Sequence, residues 1–224
     1  MSDPAPVALF GHWICPFSVR VEYALAQRGI AYEVIDVPPT AVRPRDFVVP
    51  DEFVQHSPRR EIPLVRIGNR YLADSIPILL WLEEEFDQHP LLPADHAGDV
   101  RSRVEWIDHH VYRPMIGVYY GTDPARIASA GDALAAALEH VAEWVQDGWC
   151  VGSCPTLCEA LLVPLYVRLE GLRRLGFTAP VPPAVLAHLE RCRDTPGWSA
   201  VEWSGDQVDE FVGRFEKYRA INRA

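Results

Sequence analysis

The stretch GHWICPFSVRVEYALAQRGI, which begins at Gly11, places Cys15 between a short apolar run and an amphipathic segment. A cysteine at the start of a helix meets free backbone N–H groups and the positive end of the macrodipole, and both favour the thiolate. Pro16 suits the first helical position because it has no amide hydrogen to leave unsatisfied. Ser18 stands where a dithiol oxidoreductase would carry its resolving cysteine, so no internal disulfide can close there. A second thiol has to come from elsewhere, most simply from a small molecule. The chemistry open to this group is thiol–disulfide exchange or attack on an electrophile; the competing reading is a buried structural thiol, the commoner fate of a free cysteine.

Cys150, Cys154 and Cys158 recur every four residues and invite comparison with a zinc site. Their spacing is not that of a C-x-x-C knuckle and no fourth ligand is near in sequence, so structural thiols and no metal are expected. Five cysteines in a chain without a disulfide pattern fit a reducing compartment. The amino terminus has no basic region followed by a long apolar run, and no later stretch approaches about twenty apolar residues, so neither export nor a membrane span is expected and the cytoplasm is the expected location. A net charge of −10 argues against a nucleic-acid partner.

These groups need a scaffold, and 224 residues with 49% apolar content can bury one large core or two modest ones. PVALFGH reads as a strand and PFSVRVEYALAQR as a helix that Gly29 ends in a left-handed C′ conformation. AYEVIDV returns to a strand, a weak helix follows near 51–56, and Gly68-Asn69 marks a hairpin between two strands. SIPILLWLEEEF is a helix opened by Asp74 or Ser75, both ordinary caps. The order β-α-β-α-β-β-α, with a helix starting at the cysteine, is thioredoxin-like. Residues 87–98 read as a linker, and beyond it 99–121, 125–147, 156–175, 183–193 and 206–220 read as helices. Thr156 and Glu159 have capping-box spacing, and Pro164 predicts a kink. The expected organisation is a thioredoxin-like domain at 1–86, a linker at 87–98 and an all-helical domain at 99–224.

CPFSVRVEYALAQRGIAYEV, FVQHSPRREIPLV and YLADSIPILLWLEEEF together resemble the cytosolic glutathione S-transferases, in family order and spacing; PTLCEALLVPL extends the resemblance more loosely into the helical half. The CPFS form is similar to the cysteine-type members, the dehydroascorbate reductases and omega transferases among them. The resemblance implies glutathione as cosubstrate, Cys15 as catalytic thiol, and a tripeptide site that includes Phe17, Arg60, Ile62, Pro63, Asp74 and Ser75. Ile62-Pro63 matches the family's Val-cis-Pro, and Asp74-Ser75 its Glu-Ser pair, which meets the γ-glutamyl end. Two departures stand out: Ser57-Pro58-Arg59-Arg60-Glu61 replaces an Asn-Pro-aromatic-Gly run, and Val49 stands where omega-type proteins often carry a lysine.

The family's arrangement puts a second-substrate pocket beside the first long helix of the helical domain, with His12, Trp13, Tyr112 and Arg113 as candidates. At helical spacing Trp106, His109, Arg113 and Ile116 share one face. The expected function is a glutathione-dependent thiol transferase or reductase working on a small electrophilic or disulfide acceptor, as a homodimer. A zeta-like isomerase or conjugating transferase is the second reading, although Trp13-Ile14 stands where the zeta pattern has serines. A non-enzymatic regulatory or channel-related member of the superfamily is the third.

Overall fold

The structure is a computed structural model that describes residues 6–146 and 148–222. It divides into two compact units, one of residues 1–91 with Pro196–Val201 and one of residues 92–195 with 202–224.

In the first unit β1 (Val7–Gly11) is wholly buried and pairs with β2 (Tyr32–Asp36) in parallel, Val7 opposite Tyr32 and Gly11 opposite Asp36. On its other side β1 runs antiparallel to β3 (Leu64–Ile67), and β3 pairs antiparallel with β4 (Arg70–Ala73), which gives the order β2-β1-β3-β4. Gly68, at φ 59°, lies between β3 and β4 in the left-handed conformation that the tight turn needs. The parallel β1–β2 pair requires a crossover, and α1 (Pro16–Gln27) supplies it; Gly29 at φ 68° follows its end. α2 (Asp51–His56) packs Phe53 into a core cluster with Ala8, Phe10, Val37 and Leu64. α3 (Ser75–Glu85) closes the thioredoxin-like order expected from sequence.

One element of this unit has no counterpart in the sequence reading. A short helix, Pro196–Val201, packs on α1: Gln27 Oε1 accepts the Gly197 N–H at 3.0 Å, and a Cβ at Gly197 would stand 2.7 Å from the Tyr23 ring. The close approach requires glycine at that position.

The second unit is helical. α4 (Ala97–Ile107) and α5 (Arg113–Tyr120) are joined by a π-helical turn, Asp108–Tyr112, where the sequence predicts one continuous helix. Pro114 cannot donate to a carbonyl in the preceding turn, and the wider π turn sits directly before it. α6 (Pro124–Val145) starts at Asp123, whose Oδ1 accepts the N–H groups of Ala125 and Arg126. The single helix expected over 156–175 is two, α7 (Leu157–Tyr166) and α8 (Leu169–Arg174); the break comes at 167–168, three residues beyond Pro164, whose carbonyl accepts the Arg168 guanidinium at 2.6 Å. α9 (Pro183–Arg193) and, after α10 (Pro196–Val201) of the first unit, α11 (Gly205–Asn222) complete the chain. Among the described residues no helix is long and apolar enough to cross a membrane.

Candidate active site

Cys15 is the N-cap of α1, extended at φ −85° and ψ 117°, with Pro16 at the first helical position and 7% of its surface exposed. Its carbonyl accepts the Ser18 and Val19 N–H groups and starts the helix. The preceding loop is fixed by His12. The His12 carbonyl accepts the Cys15 N–H at 3.0 Å, and its Nδ1 accepts the Ile14 N–H at 3.1 Å. Nε2 therefore carries the ring proton, 3.8 Å from Asp36 Oδ1 at the end of β2. His12 is 6% exposed and its ring stacks on Trp13, so its position suits holding the cysteine loop, with the half-buried Trp13 presented beside it. Ser18 is buried, and a Cβ at Gly11 would come within 3.0 Å of its own Cβ; the hydroxyl thus points at β1 rather than beside the thiol. Phe17 is half-buried under the Arg20 guanidinium, 4.7 Å from ring centroid to carbon.

Residues 57–63 form a turn that ends in the cis Ile62–Pro63 peptide bond. Ser57 builds it: its hydroxyl donates to the Glu61 carbonyl at 3.0 Å and accepts the Glu61 N–H at 3.1 Å, while its carbonyl accepts the Arg60 N–H. Sequence reasoning took Ser57 only as part of a departure; its burial, at 4%, and its two bonds make it the organiser of the turn. The Ile62 side chain packs against the core cluster, which leaves the backbone as its polar offering, and Val49 packs against the same cluster. Arg60 is exposed at φ 55°.

Asp74 is the N-cap of α3 at φ 70°, yet its carboxylate makes no capping bond. It instead accepts from Arg59, whose guanidinium also reaches Glu61 Oε2 at 3.0 Å. The ordinary-cap reading of Asp74 thus fails, and Arg59, which the sequence reading named only within the departure at 57–61, is the partner it missed. Ser75 beside it is buried at 5% exposure. Cys15, Pro63, Asp74 and Ser75 all stand at ends of elements of the four-stranded unit.

In the second unit the two pocket candidates diverge. Tyr112 ends the π turn and is buried at 2% exposure, whereas Arg113 is exposed and lines an open groove of about 990 Å³ with Trp106, His109 and small residues of α6 such as Ala130 and Ala133. Three of the four residues expected on one face therefore do line one groove; the π turn sets their phase. The remaining thiols are of another kind. Burial pushes the Cys150 and Cys192 thiols well up, and only Cys154 is exposed.

Residues 14–85 match the family model of the glutathione S-transferase N-terminal domain. Over 95 residues the chain is 37% identical to a glutathione S-transferase of Triticum aestivum, covering 42% of this chain and 40% of that one. It is 28% identical over 196 residues to a maleylpyruvate isomerase of a Ralstonia species, covering 80% of this chain and 88% of that one. The chain spans between 37% and 53% of the length of three of the curated relatives it matches, the Triticum protein among them. Its fold superposes on rice GST1, solved in complex with glutathione, with a TM-score of 0.81 at 22% identity, covering 96% of this chain and 98% of that one. Residues 14–85 are thus similar to a glutathione S-transferase N-terminal domain, in a chain whose fold is that of the glutathione transferases.

Proposed function

We propose that the protein is a glutathione-dependent thiol transferase or reductase that works through a mixed disulfide at Cys15. The observation that carries this reading is the lone thiol at the start of α1, with Ser18 turned into the core and the other four cysteines all in the second unit. Its own unit offers no second cysteine as a resolving partner. The Cys15 thiolate attacks the glutathionyl sulfur of a disulfide R–S–S–G; the Cys15–S–S–G bond forms and the R–S⁻ thiolate leaves. A free glutathione thiolate then attacks that glutathionyl sulfur, releasing the Cys15 thiolate and glutathione disulfide; one glutathione is consumed, and the other half of the glutathione disulfide comes from R–S–S–G.

In this reading the backbone at Ile62, before Pro63, meets the cysteinyl part of the tripeptide. Asp74 takes the γ-glutamyl ammonium, Ser75 and the first amides of α3 take its carboxylate, and Phe17 and Arg60 flank it. Arg59 already neutralises Asp74, so the incoming ammonium shares that carboxylate with it. Trp13 offers an aromatic face to the acceptor. The chain-long match to an isomerase favours a second reading, in which glutathione adds to an unsaturated acid and leaves after rotation about the carbon–carbon bond.

Replacement of Cys15 by Ser separates the two. We expect Cys15→Ser to abolish reduction of a glutathione mixed disulfide while glutathione binding persists. Full disulfide-exchange activity in the variant, or a wild type that isomerises maleylpyruvate without exchanging disulfides, would overturn the thiol-transferase reading.

A further inference from the structure

Cys150, Glu159 and His188 come from three places in the second unit, the turn-rich segment after α6, the first turn of α7 and the middle of α9. Their donor atoms all lie within 4.8 Å of one another, and the three residues are at most 2% exposed. His188 Nε2 is 3.2 Å from Glu159 Oε1, which also accepts the Cys150 N–H at 2.8 Å. Two further thiols border the group: Cys158 is a hydrogen-bonding neighbour of Cys150, and Cys192 Sγ is 3.9 Å from His188 Nε2.

From this geometry we infer a closed zinc site with Cys150 Sγ, Glu159 Oε1 and His188 Nε2 as ligands, the fourth position bordered by the Cys158 and Cys192 thiols. The donor set suits the ion, since thiolate sulfur, imidazole nitrogen and carboxylate oxygen are all ligands that zinc takes, most often in tetrahedral geometry. The charges suit burial, because one thiolate and one carboxylate cancel the ion's charge and neutral imidazole adds none. The atoms that do not face the site are held. Glu159 Oε2 accepts from the Thr156 N–H and hydroxyl at 2.7 and 2.8 Å, and His188 Nδ1 lies 2.8 Å from the Tyr166 hydroxyl. Such second contacts fix the tautomer and orientation of metal-bound side chains; with zinc on Nε2, Nδ1–H donates to Tyr166. Loading converts the Cys150 thiol to thiolate and releases its proton. The Trp149 ring stands edge-on to His188 at 5.8 Å, so Trp149 and Cys150 bring their segment against the pair, and the ion enters as this part of the chain folds. The site is independent of the chemistry proposed for Cys15.

The test is made on untagged full-length protein carrying Cys15→Ser, which removes the other candidate thiolate, refolded with zinc and freed of loose metal by gel filtration. We expect about one zinc per chain by elemental analysis. Refolding with cobalt in place of zinc should give thiolate-to-cobalt charge-transfer absorption and tetrahedral visible bands. Cys150→Ala and His188→Gln should each lower the bound zinc about tenfold or more while far-ultraviolet circular dichroism stays helical. Zinc below about a tenth of an equivalent in the refolded protein, or metal content and cobalt bands unchanged in both folded variants, would overturn the site.

Discussion

Glu22 of α1 is mostly buried and accepts the Tyr32 hydroxyl at 3.4 Å; burial pushes its carboxyl from the usual range up to about 7, against the opposing hydrogen bond. A carboxyl whose folded pKa is raised binds its proton more tightly in the native state. Stability is then greatest below the unfolded value and falls as pH rises towards about 7, beyond which the cost is constant. Glu22→Gln should therefore be more stable than wild type by about 1–2 kcal/mol at pH 8, with the difference vanishing near pH 4, as read from urea unfolding at several pH values. The cysteines give a second expectation of this kind. At neutral pH Cys15 should alkylate faster than the exposed Cys154, which caps no helix, and Cys150 and Cys192 should hardly react until the protein unfolds. Timed iodoacetamide labelling with peptide mapping reads the order, and preferential labelling of Cys154 would count against Cys15 as the nucleophile.

The start of α7 was legible as a capping box, and the structure forms it fully: the Thr156 side chain accepts from the helix and Glu159 accepts the Thr156 N–H. The sequence could not show that Glu159 also holds Cys150 and His188. Burial alone would raise the Glu159 pKa, but His188 and the Cys150 and Thr156 amides together bring it below the ordinary carboxylate value. Thr156→Ala should cost about 1–2 kcal/mol in chemical unfolding, the upper part of the cap range, because Thr156 is completely buried. A cost near zero would mean that the box is redundant there. Pro114 and Pro164 show the limit of periodicity. Proline signals that a helix must give way, but whether it does so by a π turn, as at 108–112, or by a break, as at 167–168, depends on what packs around it.

At the scale of the whole molecule, a ligand that binds only the folded state should stabilise the chain by about 2.7 kcal/mol at a hundred times its dissociation constant. Glutathione should therefore raise the unfolding temperature, and Asp74→Ala should weaken its binding by about 1.5–3 kcal/mol in calorimetric titration, the worth of a charged hydrogen bond. Hydrogen exchange should slow at the first amides of α1 and α3 and in 59–62, and unchanged exchange there would place the tripeptide elsewhere. The sequence by itself determined the order of strands and helices from β1 to α3, the hairpin at Gly68-Asn69 and the position of Cys15 before its proline. All of these rest on caps, turn residues and periodicity, which act over a few positions along the chain. Only the tertiary structure decided that Arg59 takes Asp74, that Gly197 packs on Tyr23, and that Cys150, Glu159 and His188 converge. Each of these pairs residues from separate elements, up to about 170 positions apart, and no local pattern encodes which faces packing will bring together.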